Sequence, residues 1–233
     1  SVIGGTTALS GGGTWVPGNH YAAQLGASDS REEALRYIRA VSPEGWHNED
    51  DARWVSFVDH APRMLEFLER HSPLEFGPTR DPDPYVEAPG GKAFGRMVSP
   101  RPIKKSILGA WKKRLRGPAY VRGLNYEEVV DTTLNVMPLR WLVRYAPRLA
   151  TRTLLGKTTM GSALVVGLLK GCLQADCEIW TESAVTRLVQ SDGRIGSADV
   201  CRNNETTRIS VNKGVVLACG GFEWNDEMME KYF

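Results

Sequence analysis

The first thirteen residues contain the residue types best suited to holding a ligand. Five of them are glycine and four are serine or threonine. The residues of interest are Gly4, Gly5, Gly11, Gly12 and Gly13, together with Thr6, Thr7 and Ser10. Glycine lets the backbone come close to a flat or phosphorylated molecule, and small hydroxyls with exposed N–H groups can donate hydrogen bonds to it. This composition indicates a ligand-binding segment, with a flexible Gly/Ser linker as the alternative interpretation.

A second candidate lies near the other end of the chain, where residues 214–222 form a continuous apolar run. Gly220 and Gly221 stand near its end, directly after Ala218 and Cys219. Buried parallel strands have this composition, and α/β folds place ligands at the carboxyl ends of such strands. The run therefore predicts a buried strand with a ligand contact at its end.

Tyr85 is a third candidate, because it lies at the centre of a segment with no regular pattern. Six prolines fall between Ser72 and Arg101, with Gly90, Gly91 and Gly95 among them, which predicts an irregular loop over residues 72–102. Loops this long inside a compact domain are usually functional or disordered. An aromatic residue at the centre argues against simple disorder, and a tyrosine that only packs for area is the alternative interpretation.

These candidates need elements to position them, and the first part of the chain is predicted to supply helices. Ser30 and Glu33 match a capping box before an apolar face that stops at Ser42-Pro43. The next helix begins near Asn48, and Pro62 should kink or split it. Further helices are expected over residues 125–136, 139–155 and 161–174, the last of them largely buried.

The final third of the chain is predicted to form strands. Residues 178–190, 195–202 and 206–211 have strand composition, and Asp192-Gly193 and Asn203-Asn204 are turn pairs between them. A short helix, capped by Asn225, is expected over residues 226–232. This order indicates a small antiparallel meander.

Charge is distributed unevenly, although the net charge is only +2. Residues 96–157 contain 14 lysine and arginine residues against 3 aspartate and glutamate residues. Arg140, Arg144, Arg148 and Arg152 follow one another at four-residue spacing, which places them on one helix face. A solvated face is the favoured interpretation, since no nucleic-acid-binding motif is present. Docking on a membrane or an acidic partner is the alternative.

Length and composition predict a globular cytoplasmic protein with a sizeable core. The 233 residues are 42% apolar and 24% charged, and no apolar run approaches the length that crosses a bilayer. The four cysteines lack a C-x-x-C pairing and the four histidines share no ligand spacing, so no metal site is predicted. The cysteines are expected to be buried thiols.

Three separated stretches together resemble the fumarate reductase and 3-ketosteroid dehydrogenase superfamily of FAD-dependent oxidoreductases. They are Gly4 to Gly12 with Trp15-Val16-Pro17, the strand 181–189 with Asp192-Gly193-Arg194, and the run 214–222 with Asn225. The resemblance covers essentially the whole chain. Asp83-Pro84-Tyr85, Gly95-Arg96 and Pro100-Arg101-Pro102 make it most similar to the 3-ketosteroid dehydrogenases, although Thr79-Arg80-Asp81 departs from their more aromatic pattern.

The resemblance implies an α/β fold, namely a partial Rossmann-like FAD-binding domain with a helical insertion and a small antiparallel β-meander. Residues 1–24 would be the flavin-binding segment, 25–175 the helical insertion, and 176–233 the meander with a final Rossmann strand. By the same resemblance, the G-x-G-x-x-G turn would precede residue 1 and the substrate domain would follow residue 233. We therefore expect the chain to be a fragment that is inactive alone and binds FAD weakly or not at all.

The resemblance also implies roles for particular residues. Gly4, Gly5, Thr6, Thr7, Ser10, Gly11, Gly12 and Gly13 would lie along the pyrophosphate, ribityl chain and isoalloxazine of FAD. Val185 would meet the adenine through its backbone, and Ala218, Gly220 and Gly221 would line the adenosine half. Tyr85 would be the catalytic residue of this span, supporting the base that removes a proton alpha to the ketone of a 3-ketosteroid while hydride passes to flavin N5.

Two other functions stay open at this point. One is a fumarate- or urocanate-type reductase of the same superfamily. The other is a non-catalytic fragment whose basic middle, Arg96 to Lys157, docks on a membrane or acidic partner. The substrate expected from the resemblance is a steroid-like small molecule rather than a nucleic acid, and the sequence leaves the oligomeric state undetermined.

Overall fold

The computed structural model describes residues 2–117, 123–131 and 133–232. These residues form two compact units. The larger unit comprises Thr7–Cys177, and the smaller unit comprises Ser1–Thr6 with Glu178–Phe233. The boundary between the units therefore passes through the glycine-rich segment, between Thr6 and Thr7.

Two packed helices open the larger unit after short 3-10 turns at Thr7–Leu9 and Ala22–Leu25. Helix α1 spans Arg31–Val41, and the Ser30 hydroxyl accepts a hydrogen bond from the Glu33 N–H, which confirms Ser30 as the cap. The other half of the predicted capping box does not form, because the Ser30 N–H donates to Asp29 and the Glu33 carboxylate binds Lys92. Helix α2 spans His47–His71 and continues through Pro62, so the predicted split does not occur. Apolar residues of the two helices, Ala34, Leu35 and Val58, form a buried cluster between them.

A small sheet stands where the sequence predicted an irregular loop. Strands β1 (Thr14–Trp15), β2 (Phe76–Pro78) and β3 (Met97–Pro100) form an antiparallel sheet in the order β1-β3-β2. The prediction of irregular structure over residues 72–102 was therefore wrong at both ends of the segment. Prolines fall at the strand ends, where a missing N–H costs little, and buried Phe76 and Val98 join the core around Leu65.

Two short strands and a 3-10 segment follow this sheet, and a helix ends the larger unit. Strands β4 (Ile103–Lys104) and β5 (Lys157–Thr158) pair antiparallel, and a kinked 3-10 segment spans Lys105–Arg114. Helix α6 spans Met160–Gln174. Most of its first ten residues are buried, as the all-round apolar pattern predicted.

Between β4 and β5, the described residues form three α-helices. They are α3 (Tyr126–Val130), α4 (Thr133–Val136) and α5 (Pro138–Leu154). The single helix predicted over 125–136 is two short helices, and its residue 132 lies outside the described residues. Residues 118–122 of the basic middle lie outside them as well. Helix α5 packs through Trp141 and Tyr145 against Leu124.

The smaller unit is built on the predicted meander. Strands β6 (Ser183–Ser191), β7 (Arg194–Arg202) and β8 (Glu205–Ser210) are antiparallel in the order β6-β7-β8. Both hairpin turns have two residues with positive φ, at 50° and 76° for Asp192-Gly193 and 50° and 63° for Asn203-Asn204. Such turns match the right-handed twist of the strands, which explains why these dipeptides predicted the hairpins correctly.

The apolar run 214–222 does not form the predicted buried parallel strand. It has no strand assignment, and Val216 and Leu217 are 89% and 71% exposed. A parallel strand needs hydrogen-bonded neighbours in register, and the only sheet that the described part of this unit contains is the antiparallel meander. Helix α7 (Asp226–Tyr232) follows, and the Asn225 side chain accepts from the Met228 N–H as predicted.

The cysteines differ from expectation as well. Cys172, Cys177 and Cys219 are exposed and Cys201 is half-buried, so the prediction of buried thiols was wrong. None of the helices in the described ranges is long and apolar enough to cross a membrane.

Candidate functional site

In the smaller unit, the beginning of the glycine-rich segment contacts the residues that directly follow the apolar run 214–222. The Thr6 hydroxyl donates to the Glu223 carboxylate at 2.7 Å and accepts from the Trp224 indole N–H at 3.0 Å. The hydrogen bond from Thr6 lowers the pKa of Glu223. Two sequence segments at opposite ends of the chain are thus joined through a charged, exposed contact.

Gly4 and Gly5 give this place its backbone shape. Both have positive φ angles, 128° and 47°, which residues with a Cβ rarely adopt. A Cβ on Gly5 would meet nothing within 4 Å, so the backbone there faces open space. The predicted role of glycine, to leave the backbone accessible, is compatible with this geometry.

In the larger unit, the rest of the segment packs against the start of helix α6. The Gly161 N–H donates to the Ser10 carbonyl, and the Ser162 hydroxyl donates to the Ala8 carbonyl at 3.0 Å. A Cβ on Gly12 would lie 2.6 Å from the carbonyl carbon of Met160, and one on Gly161 would lie 1.9 Å from the Thr7 oxygen. Gly12 therefore permits close contact between two backbones.

The hydroxyls of this part have different partners. The Ser10 hydroxyl donates to the Thr7 carbonyl at 2.8 Å and accepts from the Gly12 N–H at 3.2 Å. Both hydrogen bonds therefore stay within the glycine-rich segment. The Thr7 hydroxyl is exposed and makes no hydrogen bond within the described ranges. Of the three predicted donors, Thr7 is the one whose hydroxyl is available in this structure.

An aromatic side chain covers the last glycines of the segment. A Cβ on Gly11 would lie 2.8 Å from the Tyr126 ring, and a Cβ on Gly13 would lie 3.0 Å from Met97 and 3.1 Å from Tyr126. These glycines thus admit a neighbouring ring at van der Waals distance. Tyr126, at the start of α3, was not among the residues predicted from the sequence.

The predicted adenine contact, Val185, lies on an edge of the meander. Strand β6 pairs with β7 on one side, and its register shifts between Val185 and Arg187. The Val185 residue is 61% exposed. An edge strand next to a bulge presents unpaired backbone groups, which is the geometry that contact through the backbone requires.

Ala218, Gly220 and Gly221 lie in the exposed segment before α7. Gly220 has a φ of 78°, and a Cβ on Gly221 would lie 2.6 Å from a carboxylate oxygen of Glu223. The left-handed conformation at Gly220 favours glycine, whereas a Cβ on Gly221 would need only the flexible end of the Glu223 side chain to move. The chain reverses here so that Glu223 can accept from Thr6.

Tyr85 lies in an ordered loop of the larger unit, with its side chain at the surface. The residue is 63% exposed, and its N–H donates to the Tyr37 hydroxyl of α1 at 3.2 Å. Asp83, two residues earlier, exchanges backbone and side-chain hydrogen bonds with Lys92 and so closes the base of the loop. The side chain of Tyr85 is free to meet a ligand while its backbone is anchored.

A buried ion network holds this loop. The Arg96 guanidinium, whose side chain is 1% exposed, binds Asp83 at 2.7 Å and Asp29 at 2.7 Å. The Trp15 indole N–H also donates to Asp83 at 2.7 Å. Burial lowers the pKa of Arg96, but the hydrogen bonds and charges of the two carboxylates outweigh it and the net pKa is raised. Arg96 therefore stays charged and fixes both acids.

A cavity adjoins the same loop within the larger unit. Its volume is about 520 Å³, in the range of small-molecule pockets. Its walls combine apolar residues with three carboxylates and one arginine: Leu25, Pro78, Arg80, Asp81, Pro82, Glu127, Val130, Asp131 and Tyr145. Arg80, Asp81 and Pro82, which precede Asp83 in the loop, thus line a space large enough for a ligand.

The polar groups along the glycine-rich segment fit FAD, and different groups suit different parts of the cofactor. The carboxylate of Glu223 at Thr6 accepts hydrogen bonds from hydroxyl groups and repels phosphate, so it suits a sugar or ribityl chain. The exposed backbone at Gly5 and the unpaired Thr7 hydroxyl can donate to phosphate oxygens or ring heteroatoms. The described residues contain no group of histidine, cysteine and acidic side chains that could hold a metal ion.

Sequence reasoning missed several residues that shape these sites. Glu223 binds Thr6, and Tyr126 contacts Gly11 and Gly13, only after residues far apart in the chain meet, so no local pattern marks them. Arg96 was noted as part of a motif, but its burial between two acids gives no signal in the sequence.

Comparisons with known proteins agree over nearly the whole chain. The model of the family described as FAD binding domain matches residues 1–232. The chain is 34% identical to 3-oxosteroid 1-dehydrogenase of Mycobacterium tuberculosis, over 98% of this chain and 43% of that protein. It is 31% identical to 4-oxocyclohex-2-ene-1-carboxylate 5-dehydrogenase of Sinomonas cyclohexanicum, over 99% of this chain and 41% of that protein.

A solved structure supports the same grouping. The crystal structure of 3-ketosteroid delta1-dehydrogenase from Sterolibacterium denitrificans, in complex with 1,4-androstadiene-3,17-dione, aligns with a TM-score of 0.84 at 30% identity. The alignment covers 99% of this chain and 44% of that one. The α/β FAD-binding fold is thereby confirmed, and the chain spans less than half the length of the relatives it matches.

Proposed function

Because the chain belongs to the family of FAD binding domains, we propose that it forms the cofactor-binding part of a flavoprotein oxidoreductase that dehydrogenates 3-ketosteroids. The observation that carries this proposal is the alignment with a 3-ketosteroid delta1-dehydrogenase over 99% of the chain. Relatives named 3-oxosteroid 1-dehydrogenase support it with 34% identity. The reaction expected is removal of two hydrogens beside the ring ketone.

The residues of the chain would bind and orient the cofactor. When bound, FAD supplies a two-electron acceptor for the hydride that leaves the substrate. Gly4, Gly5 and Thr7 would donate through exposed backbone or hydroxyl groups, while Glu223 would accept from hydroxyls of the cofactor. Val185, at the free edge of β6, would offer its backbone to the adenine. The domain limits predicted at residues 24 and 175 stay predictions.

Tyr85 would act on the substrate side of the reaction. A tyrosine hydroxyl can donate a hydrogen bond to a neighbouring base, and in that role it supports the base that removes the proton. The exposed side chain and anchored backbone of Tyr85 suit this supporting role. The chain itself would then contribute positioning and a hydrogen bond, and the groups that polarise the ketone would lie elsewhere.

A second substrate class is favoured by the other relatives. Besides 4-oxocyclohex-2-ene-1-carboxylate 5-dehydrogenase, a 4-oxocyclohexanecarboxylate 2-dehydrogenase is 31% identical over 99% of this chain. These names describe dehydrogenation next to a ketone on a single ring that carries a carboxylate. The chemistry beside the ketone is the same, and the substrate differs in size and charge. No comparable observation favours the fumarate- or urocanate-type alternative.

The experiment is a substrate comparison on protein made from the complete reading frame. Turnover of a 3-ketosteroid saturated at C1–C2 should exceed that of 4-oxocyclohexanecarboxylate, and the reverse preference would replace the steroid by the smaller ketone. Tyr85→Phe should lower kcat by about a hundredfold with flavin content unchanged. Tyr232→Phe, an exposed tyrosine of α7, is the matched control and should leave kcat unaltered.

The isolated chain offers a simpler measurement. We expect the 233 residues alone to hold FAD weakly and to show no dehydrogenase activity. A flavin absorbance spectrum that co-purifies at near-equal stoichiometry would contradict that expectation.

A further inference from the structure

Helix α5 is apolar on two opposite sides. Trp141 and Tyr145 are buried and point into the larger unit, at 7% and 6% exposure. Leu139 and Val143 are both 78% exposed. Members of each pair are four residues apart and share a face, and the two pairs are offset by two residues, which is about 200° around the helix. One apolar side is covered by the protein and the other faces outward.

The outward side continues beyond these two residues. Its other members are large apolar residues that lie along α5 or beside its ends: Val136, Met137, Leu142, Leu154 and Leu155, each at least 50% exposed. Single exposed apolar residues are common on protein surfaces, but seven large ones along one helix and beside its ends indicate an interaction surface. We call this group, with Leu139 and Val143, the outer face of α5.

Arginines lie along one flank of the outer face. Arg140 and Arg144 line the same open depression as Leu139 and Val143. Arg144 is 3.5 Å from Asp131 and largely exposed, whereas Arg140 forms no ion pair within the ranges that the structure describes. The sequence of α5 contains no acidic residue. The flank is therefore positively charged without internal compensation on the helix.

The arginine stripe predicted from the sequence is thus divided. Arg152, at its end, is turned inward and binds Glu128 at 2.7 Å with 17% of its side chain exposed, so the solvated-face interpretation was wrong for this residue. Arg140, Arg144 and Arg148 remain exposed. A solvated face does not account for the leucines beside them, because water is a poor environment for such a group.

We propose that the outer face of α5 docks in the interfacial layer of a bilayer that contains anionic lipids. The helix would lie parallel to the membrane plane, with its leucines among the upper acyl chains and Arg140, Arg144 and Arg148 at the phosphates. Helices with an apolar face flanked by basic residues bind membranes in this way. The 17-residue helix does not meet the requirements for crossing a bilayer.

Charge complementarity selects this occupant over a second copy of the chain. Two outer faces brought together would place the arginine flanks near each other, with no acidic residue on either helix to compensate. An anionic lipid surface supplies negative charge along the whole flank. The outer face includes none of the proposed FAD ligands, and so membrane binding and the oxidoreductase proposal can fail independently.

The test is vesicle co-sedimentation of the protein made from its complete reading frame. Vesicles of phosphatidylcholine with about 30 mol% phosphatidylglycerol should bind it, and pure phosphatidylcholine should bind it much more weakly. Raising NaCl from about 0.1 M to about 0.5 M should release most of the protein from the anionic vesicles. Failure to bind the anionic vesicles at the lower salt would overturn the proposal.

Variants separate the two contributions. Leu139→Ser with Val143→Ser should weaken binding by at least about tenfold, and Arg140→Gln by about fivefold with a smaller salt dependence. The matched control is Phe67→Ser with Arg70→Gln on the exposed end of α2, which should bind as the parent does. Thermal unfolding verifies that each variant is folded.

Other occupants give distinct results. Unchanged vesicle binding by Leu139→Ser with Val143→Ser would exclude the outer face as the contact. A parent protein whose oligomer dissociates with this double substitution would show that a second copy covers the face. Hydrogen exchange that is slow at residues 139–143 without vesicles, and unaltered by them, would show that another part of the protein covers it.

Discussion

The two units bury their side chains to very different degrees. The larger unit contains several buried apolar clusters and a buried arginine between two aspartates. In the smaller unit, Val200 and Asp199 are the buried residues among those described, while Val216 and Leu217 are exposed. The larger unit is therefore stabilised by its interior, and the smaller one by strand pairing and turns. Substitutions should affect the two units by different mechanisms.

The largest expected effect is in the larger unit, at Arg96. Arg96→Met leaves Asp29 and Asp83 buried without a cation, which should lower the free energy of unfolding by about 3–5 kcal/mol. Arg31→Met breaks an exposed pair with Asp59, which solvent screens, and should lower the free energy of unfolding far less. Urea unfolding measures both. Equal losses would show that the interior of the larger unit is not what stabilises it.

The second-largest effect is expected at the contact between the glycine-rich segment and α6. Gly161→Ala would place a Cβ 1.9 Å from the Thr7 oxygen, and we expect a loss of about 1–3 kcal/mol in the free energy of unfolding. In the smaller unit, Gly196→Ala meets nothing within 4 Å and should be neutral or slightly stabilising. If both substitutions are neutral, the close packing inferred for the larger unit is absent.

A smaller effect is expected at Tyr37. Tyr37→Phe removes the hydroxyl that accepts from the Tyr85 N–H, a hydrogen bond with a net contribution of about 0.5–1.5 kcal/mol. Exchange of the Tyr85 amide should accelerate by about two- to tenfold, while exchange in the meander stays constant. An unchanged rate at Tyr85 would mean that the loop is held by Arg96 and Asp83 alone.

The smallest effect concerns acid stability, which both units share. Hydrogen bonds from Thr133 and Tyr145 lower the pKa of Asp131 to about 2, and Arg208 lowers the pKa of Asp199. A carboxylate with a depressed folded-state pKa stabilises the fold above its unfolded-state pKa of about 3.9, and that contribution is lost as the pH falls through the folded value. Stability should therefore fall between about pH 4 and pH 2.

The two carboxylates can be told apart by substitution. Asp131→Asn should flatten the acid-induced loss in α3 to α5, and Asp199→Asn should flatten it in the meander. Because the chain has seven tryptophans, the measurement uses variants that keep one of them: fluorescence of Trp141 reports the first loss and that of Trp180 the second. A substitution in one unit that flattens the response of both would show that they do not unfold as separate units.

The features predicted correctly from the sequence are those set by local chemistry. The Ser30 cap, the two hairpin turns and the apolar helix α6 depend on residues within a few positions of one another. The buried strand at 214–222 was wrong, because a strand needs partners that composition does not reveal. The strands β2 and β3 were missed because prolines at their ends concealed them. The sequence predicted the opening glycines as ligand-binding residues, and that role stays a prediction. Gly12 also serves the packing of α6, which only the tertiary contact shows.

The contact between the glycine segment and α6 also has a consequence for biosynthesis. Ser162 and Ala8, whose hydrogen bond helps to join them, are 154 positions apart in the chain. At translation rates of about 5–20 residues per second, residues near Ala8 leave the ribosome about 8–30 s before their partners. Throughout that interval the glycines have no helix to pack against. The segment proposed to bind FAD should therefore be among the last parts of the larger unit to acquire its final conformation.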